Sequence, residues 1–183
     1  MTLERSIALY CAPALAGIKP SNLLSYSTED KRCAYKELSR LNRQLNASGI
    51  YLKVLCEYEK RLLILVYRNN KLANYLDRSE IAAFLKNCGY GVSLQLADKI
   101  SLLSERIKNS REFPHEVGAF LGYPIEDIYG FINHKSCKYT GYWKVYGNVE
   151  QAKDIFRKYD SCRNAVVNRM SMGKTLTDMF ALA

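Results

Sequence analysis

An unbroken apolar run from Leu62 to Tyr67 constrains the fold more than any other stretch of the chain. Successive side chains of a strand point to opposite faces, so a run that is apolar throughout must be covered on both faces. A second strand-like run covers residues 51–56, and the polar residues 57–61 separate the two. The pattern predicts a β-hairpin over residues 50–67 whose second strand is central in a sheet.

Helical periodicity is the main signal in much of the remaining chain. An amphipathic helix that ends near Gly49 is predicted by the apolar stripe Ala34, Leu38, Leu41 and Leu45. Asn148 with Gln151 is typical of a helix start, and Tyr142 to Tyr146 is predicted to be a last strand. We expect one α+β domain over residues 1–183, with a small, mostly antiparallel sheet of about four strands covered by six or seven helices.

The N-terminal segment contains a cysteine between two predicted elements. Ser6 to Tyr10 is a short apolar run that we interpret as a buried strand. Pro13 favours the first turn of a helix, which Gly17 would close. Cys11 would then lie beside a helix N-terminus, where the helix dipole stabilises a thiolate. The segment therefore predicts a reactive thiol.

The formal net charge of +9 is compatible with three kinds of partner: nucleic acid, an anionic ligand or an anionic membrane surface. It is equally compatible with a solvated basic surface, and the absence of any long block of basic residues favours that reading. No apolar run approaches the ~20 residues that a membrane span requires. We therefore expect no membrane association.

The six cysteines are scattered and form no CxxC pair, which is typical of reduced thiols rather than of a disulfide framework. Glu4 offsets the charge of Arg5, and Pro13 interrupts the apolar segment that follows, so we expect no secretory signal. Both observations indicate a cytoplasmic protein.

Five sequence blocks occur together along the chain. They read CAPALAGIK from Cys11, EFPHEVG from Glu112, FLGYP from Phe120, GYWKVYG from Gly141 and KYDSC from Lys158. In combination they resemble the family of short, mostly clostridial proteins catalogued as domain of unknown function 3793. The resemblance implies an intracellular setting and a retained N-terminal segment, and it implies no particular activity.

Thiol and metal ligands form the first candidate site. Cysteine, histidine and carboxylate side chains bind zinc and related ions, and the candidates are Cys11, His115, Glu116, Cys137 and Cys162. No CxxC or HExxH spacing links them, so only the fold could assemble such a site. Structural roles compete, because Cys162 lies on an apolar helical stripe and His115 in a predicted first turn, where it can cap or pack.

Residues 116–132 allow a different interpretation. Gly118, Gly122 and Ile128 have the spacing of a helix-turn-helix, with residues 124–134 as the recognition helix. That helix begins with Glu126 and Asp127, which would repel phosphate, so nucleic-acid binding is disfavoured. A third candidate, an anion site, would use the basic stripe Arg32, Lys36, Arg40 and Arg43, although a solvated helix face explains the same stripe.

Taken together, the blocks favour a small-ligand or cofactor-binding protein with a thiol that could be redox-active. Cys11 is the predicted reactive group, and His115 is its predicted acid–base partner. The predicted ligand-binding residues are Lys19, Glu116, Trp143 and Lys144. The expected partner is a small anionic ligand or another protein. A helix-turn-helix DNA-binding protein and a protein-interaction module are the alternatives, and the sequence leaves the cofactor, the metal content and enzymatic activity open.

Overall fold

The computed structural model describes residues 1–110 and 112–181. The helices are α1 (Leu3–Leu15), α2 (Lys31–Leu45), α3 (Asn69–Leu76), α4 (Ser79–Asn87), α5 (Leu96–Asn109), α6 (Val117–Phe120), α7 (Ile125–Ile132), α8 (Val149–Ser171) and α9 (Leu176–Phe180), with a 3₁₀ turn at Asn46–Ser48. The strands are β1 (Ser21–Ser27), β2 (Ile50–Tyr58), β3 (Arg61–Arg68), β4 (Tyr139–Thr140) and β5 (Lys144–Val145). The predicted α+β class is confirmed, with more helices than expected.

The main sheet has the strand order β1-β3-β2, and both pairs are antiparallel. Ile64 of β3 lies opposite Leu24 of β1 on one side and Val54 of β2 on the other. The hairpin and the central position of its second strand were both predicted, and both are confirmed. β4 and β5 form a separate two-stranded ribbon, so the last strand is shorter than the predicted Tyr142–Tyr146.

The two faces of β3 contact two different hydrophobic clusters. Leu63, Leu65 and Tyr67 pack against residues of α3 to α7. Leu62, Ile64 and Val66 pack against residues of α1, α2, α8 and α9. This arrangement explains the unbroken apolar run, because alternate residues of one strand are buried on opposite sides of the sheet.

A third cluster lies beside the ribbon. It consists of Trp143 and Val145, packed on Ala152, Phe156 and Tyr159 of α8. Asn148 caps this helix, since its side-chain oxygen accepts a hydrogen bond of 3.1 Å from the Gln151 amide, as predicted. The predicted apolar stripe of α2 is likewise buried along its whole length.

The predicted strand at Ser6–Tyr10 is wrong, because these residues lie inside α1. Thr2 caps the helix by accepting a hydrogen bond from the Arg5 amide, and α1 packs along α8 and β1. A short apolar run fits a buried strand and a buried helix equally well, so tertiary contacts decide between them. Among the described residues, no helix combines the length and the apolar character needed to cross a bilayer.

Candidate functional site

The connection between α6 and α7 is a tight turn that contacts the N-terminal part of the chain. Gly122 has a φ of 73°, which favours glycine, and a Cβ at this position would lie only 2.5 Å from Pro20. Tyr123 follows, and its amide donates to the Gly118 carbonyl at 2.9 Å. The turn therefore holds α7 against α6.

Asp127, in the first turn of α7, fixes the ribbon over this helix. Its buried carboxylate accepts three hydrogen bonds: 2.7 Å from Trp143 Nε1, 2.7 Å from the Tyr146 amide and 2.8 Å from the Gly147 amide. Gly130 permits the same approach, since a Cβ there would lie 2.4 Å from the Tyr146 ring. The ribbon and α7 are thereby joined as neighbouring walls.

These walls enclose a cavity of about 350 Å³, which we call the aromatic cavity. It is lined by Phe113, Pro114, His115, Val117, Gly118, Leu121, Tyr123, Asp127, Ile128, Phe131, Trp143 and Lys144. Val117, Leu121, Ile128 and Trp143 are buried, whereas Phe113, His115, Phe131 and Lys144 are exposed. The buried side chains therefore form its base and the exposed ones its open side.

Aromatic contacts hold the walls of the cavity in place. Tyr123 stacks on Trp143 with 5.1 Å between ring centroids, and Phe156 packs edge-on against Trp143 at 4.5 Å. On the open side, Phe131 contacts two side chains, those of His115 and Lys144. The His115 ring packs edge-on against it at 5.5 Å, and Lys144 Nζ lies 5.6 Å from its centroid.

Glu116 is buried beside the cavity and belongs to an ion pair with the partly exposed Arg106. Its Oε1 accepts a hydrogen bond of 2.8 Å from Arg106 Nη1, and the Tyr90 hydroxyl lies 3.5 Å from the same oxygen. Burial, and secondarily the Glu116 charge, raises the pKa of Tyr90. Glu116 does not line the cavity, so its contacts indicate that it anchors the start of α6 to α5.

Lys19 is a buried cation next to the cavity wall. Its Nζ lies 5.3 Å from the Tyr123 ring centroid and 5.7 Å from that of Tyr159. Burial lowers the pKa of Lys19 to about 8, and the nearby Cys11 has a smaller, opposite effect. Lys19 therefore contacts a lining residue, Tyr123, without lining the cavity itself.

Cys11 lies in the middle of α1, so the predicted helix N-terminus beside it is wrong. Its side chain is fully buried in the cluster between α1 and the sheet. Burial raises the pKa of the Cys11 thiol to about 12, while Lys19 lowers it slightly. This environment stabilises a thiol rather than the predicted thiolate.

The structure brings three of the six predicted site residues to one cavity, namely His115, Trp143 and Lys144. Glu116, Lys19 and Cys11 do not line the cavity, although Glu116 neighbours the lining residue Val117 and Lys19 contacts the lining residue Tyr123. Sequence reasoning assigned no binding role to Tyr123, Asp127 or Phe131. Their apolar or helix-start positions in the sequence gave no sign that the ribbon packs over them.

No cluster of three histidine, cysteine or acidic side chains able to hold a metal ion occurs in the part of the chain that the structure describes. Cys137 is exposed, with its Sγ 3.1 Å from the Tyr139 carbonyl, and Cys162 is partly buried at the second cluster. The five predicted ligands therefore do not converge as a metal centre within residues 1–110 and 112–181.

The helix-turn-helix and the anion site on α2 stay predictions. α7, the would-be recognition helix, contains no lysine or arginine, and its buried Asp127 is covered by the ribbon. Of the basic stripe on α2, Arg40 is bound by Glu37 and Glu4, at 2.8 and 3.1 Å. An exposed face with internal ion pairs is typical of a solvated helix.

Comparison with known proteins gives one family. The model of the family described as "Protein of unknown function (DUF3793)" matches residues 7–180, which confirms the resemblance seen in the sequence blocks. Neither the curated proteins nor the solved structures provide a significant match.

Proposed function

We propose that this chain, which belongs to the family described as Protein of unknown function (DUF3793), binds a small, largely apolar molecule in the aromatic cavity. The observation that carries the proposal is the cavity itself, about 350 Å³ in volume and built within residues 113–144 by α6, α7, the ribbon and the residues that precede α6. Ligand sites are typically concave, mostly apolar and equipped with a few polar groups, with volumes of roughly 300–1,000 Å³.

The chemistry of the lining supports binding rather than a thiol reaction. The buried base is aliphatic and aromatic, and the carboxylate of Asp127 already accepts three hydrogen bonds. Cys11 does not line the cavity, and its pKa of about 12 disfavours the nucleophilic thiolate. The proposed function therefore omits the thiol and retains His115, Trp143 and Lys144 as contact residues.

Trp143 makes the proposal directly testable, because it is the only tryptophan of the chain and lines the cavity. A neutral single-ring probe such as phenylacetamide is titrated into the protein while Trp143 emission is recorded. We expect a saturable change in intensity or wavelength. The absence of any saturable change up to the solubility limit of the probe would contradict the proposal.

A matched pair of variants separates the cavity from the rest of α7. Phe131 and Tyr129 are both aromatic and 44% and 41% exposed, but only Phe131 lines the cavity. Phe131→Ala removes one wall and is expected to weaken probe binding about tenfold, since an aromatic contact contributes on the order of 1–2 kcal/mol. Tyr129→Ala should leave the affinity unchanged, and equal losses in both variants would place the probe elsewhere.

A further inference from the structure

The charged groups at the aromatic cavity are not equally available to a ligand. A carboxylate offers about four acceptor positions, and Asp127 uses three of them for Trp143 Nε1 and two backbone amides. Two of these donors belong to the backbone that positions the ribbon, so the bonds are part of the fold. The negative charge at the base is thus already stabilised by the protein.

Lys144 is in the opposite situation. It is exposed at the open side, with its ammonium group over the Phe131 ring, and it takes part in none of the ion pairs found within residues 1–110 and 112–181. His115 packs against the same ring and adds a second basic side chain. A cation over an aromatic face, free of an acidic partner, is well placed to meet an incoming anion.

Lys19 adds a positive charge behind the cavity wall that Tyr123 forms. Its Nζ lies 5.3 Å from the Tyr123 ring, and it belongs to none of the ion pairs in the described part of the chain. A pKa of about 8 leaves most of this amine protonated at neutral pH. Because charges act over longer distances where water is excluded, Lys19 favours an anion near the cavity without touching it.

The size and shape of the cavity limit the apolar part of the ligand. A volume of about 350 Å³ lies at the lower end of the roughly 300–1,000 Å³ that is typical of ligand pockets, which favours a compact ligand. Rings line it from several sides, with the Tyr123–Trp143 stack at one wall and Phe131 at another. A flat ring offers more contact with such walls than a branched chain of the same size.

We propose that the ligand is a compact aromatic carboxylate whose ring enters the aromatic cavity and whose carboxylate meets Lys144 at the open side. This inference rests on the proposed function and names the ligand class for the same cavity. A ligand with an ammonium group bound by Asp127 is the opposite arrangement, and the experiment below distinguishes the two.

The test compares three probes that share one ring: phenylacetate, the neutral phenylacetamide and the cationic phenethylamine. Each is titrated at pH 7 with Trp143 emission as the readout, and ligand-observed NMR repeats the measurement independently. Phenylacetate is expected to bind about tenfold more tightly than the amide, because a charge-assisted hydrogen bond at a partly exposed site contributes about this much. Its affinity, unlike that of the amide, should fall as salt is added.

Lys144→Gln should remove this tenfold preference of phenylacetate over the amide. Lys158→Gln, which changes an exposed lysine of α8 outside the cavity, should leave the preference unchanged. Equal binding of phenylacetate and amide, or tighter binding of phenethylamine, would contradict the proposal that the ligand is a carboxylate. The proposal that the cavity binds a small molecule would be unaffected. Failure of all three probes to bind would overturn the proposed function as well.

Discussion

Asp127 determines at the residue scale whether the aromatic cavity exists. Its carboxylate connects α7 to the ribbon through one side-chain donor and two backbone donors, all within 2.8 Å. Without it, the partly exposed Tyr146 and Gly147 amides and the buried Trp143 indole would have to find other acceptors. Buried donors left without acceptors are costly, so the ribbon is expected to move away from α7.

We predict that Asp127→Ala lowers the free energy of unfolding by about 3 kcal/mol, because it removes charge-assisted hydrogen bonds and strands their donors. Urea unfolding measures the loss, and a shift of Trp143 emission to longer wavelength reports the exposure of the indole. Asp154→Ala is the control. Among the described residues, this exposed aspartate pairs only with Arg157 on the same helix, so its replacement should change stability by less than about 0.5 kcal/mol. Equal effects of both changes would refute the bridging role of Asp127.

Lys19 is a second residue with a large effect on the free energy of unfolding, and this effect depends on pH. Burial lowers its pKa from 10.5 to about 8. Between these two values the unfolded chain binds a proton that the folded protein has released, so Lys19 makes the folded state more stable as the pH rises. Below pH 8 both states are protonated, and the folded state bears the full cost of burying the charge.

We therefore predict that Lys19→Met raises the free energy of unfolding at pH 7 by about 2–3 kcal/mol, after allowance for the cation–π contacts that favour the charge. The difference from the parent protein should shrink between pH 8 and pH 10.5. Urea unfolding of both proteins at pH 7 and pH 9.5 measures this, with Lys158→Met as an exposed-lysine control. A less stable Lys19→Met protein at pH 7 would show that the tyrosine rings stabilise the ammonium by more than burial costs.

At the element scale, α1 decides the reactivity of Cys11. The helix places this thiol in the core, fully buried, with a pKa of about 12. We predict that Cys11 in the folded protein reacts with iodoacetamide roughly a thousandfold more slowly than a thiol at the ordinary value of 9.0, in proportion to its thiolate fraction. Peptide mass spectrometry after timed labelling, with and without urea, gives the rates.

Cys137 is the internal standard for that experiment, since it is exposed. It should be labelled in the folded protein, whereas Cys11 should require unfolding. Labelling of both cysteines at similar rates in the absence of urea would contradict this prediction and support the reactive Cys11 thiol that the sequence suggested.

Long, regular elements were the ones that the sequence predicted well. The β2–β3 hairpin, α2 and α8 have apolar patterns sustained over many residues, and their burial follows these patterns. α1 was mistaken for a strand because the run Ser6–Tyr10 spans too few residues to distinguish the two periods. The Thr2 cap and the packing of this segment on α8 favour a helix over a strand. The packing on α8 is a tertiary contact, which the local sequence does not reveal.

The candidate site was predictable only in part for the same reason. His115, Trp143 and Lys144 stood out as polar or aromatic residues in distinctive blocks, and they do line one cavity. Asp127 was interpreted as a helix start, which it is, but its three partners come from a ribbon sixteen to twenty residues later. Local patterns cannot show which face of α7 such a ribbon will cover.

At the scale of the whole molecule, α8 connects the site to the sheet. Its first half contributes Ala152, Phe156 and Tyr159 to the cluster beneath Trp143. Val166, further along, belongs to the cluster between α1 and the sheet. A rigid helix shared by two clusters couples their stability, because neither can lose its packing without exposing part of the same helix.

This connection leads us to predict that the chain unfolds as one cooperative unit, as expected for a single domain. Trp143 emission reports the cavity, and far-UV circular dichroism reports the helices and the sheet. The two signals should give the same urea midpoint, and phenylacetate at ten times its Kd should raise the free energy of unfolding measured by both by about 1.4 kcal/mol. Phe131→Ala, with its tenfold weaker binding, should reduce that increase to about 0.4 kcal/mol at the same probe concentration, whereas Tyr129→Ala should retain the full increase. If Trp143 emission changed at a lower urea concentration than the circular dichroism, α7 and the ribbon would unfold separately, and the ligand would stabilise only that part of the molecule.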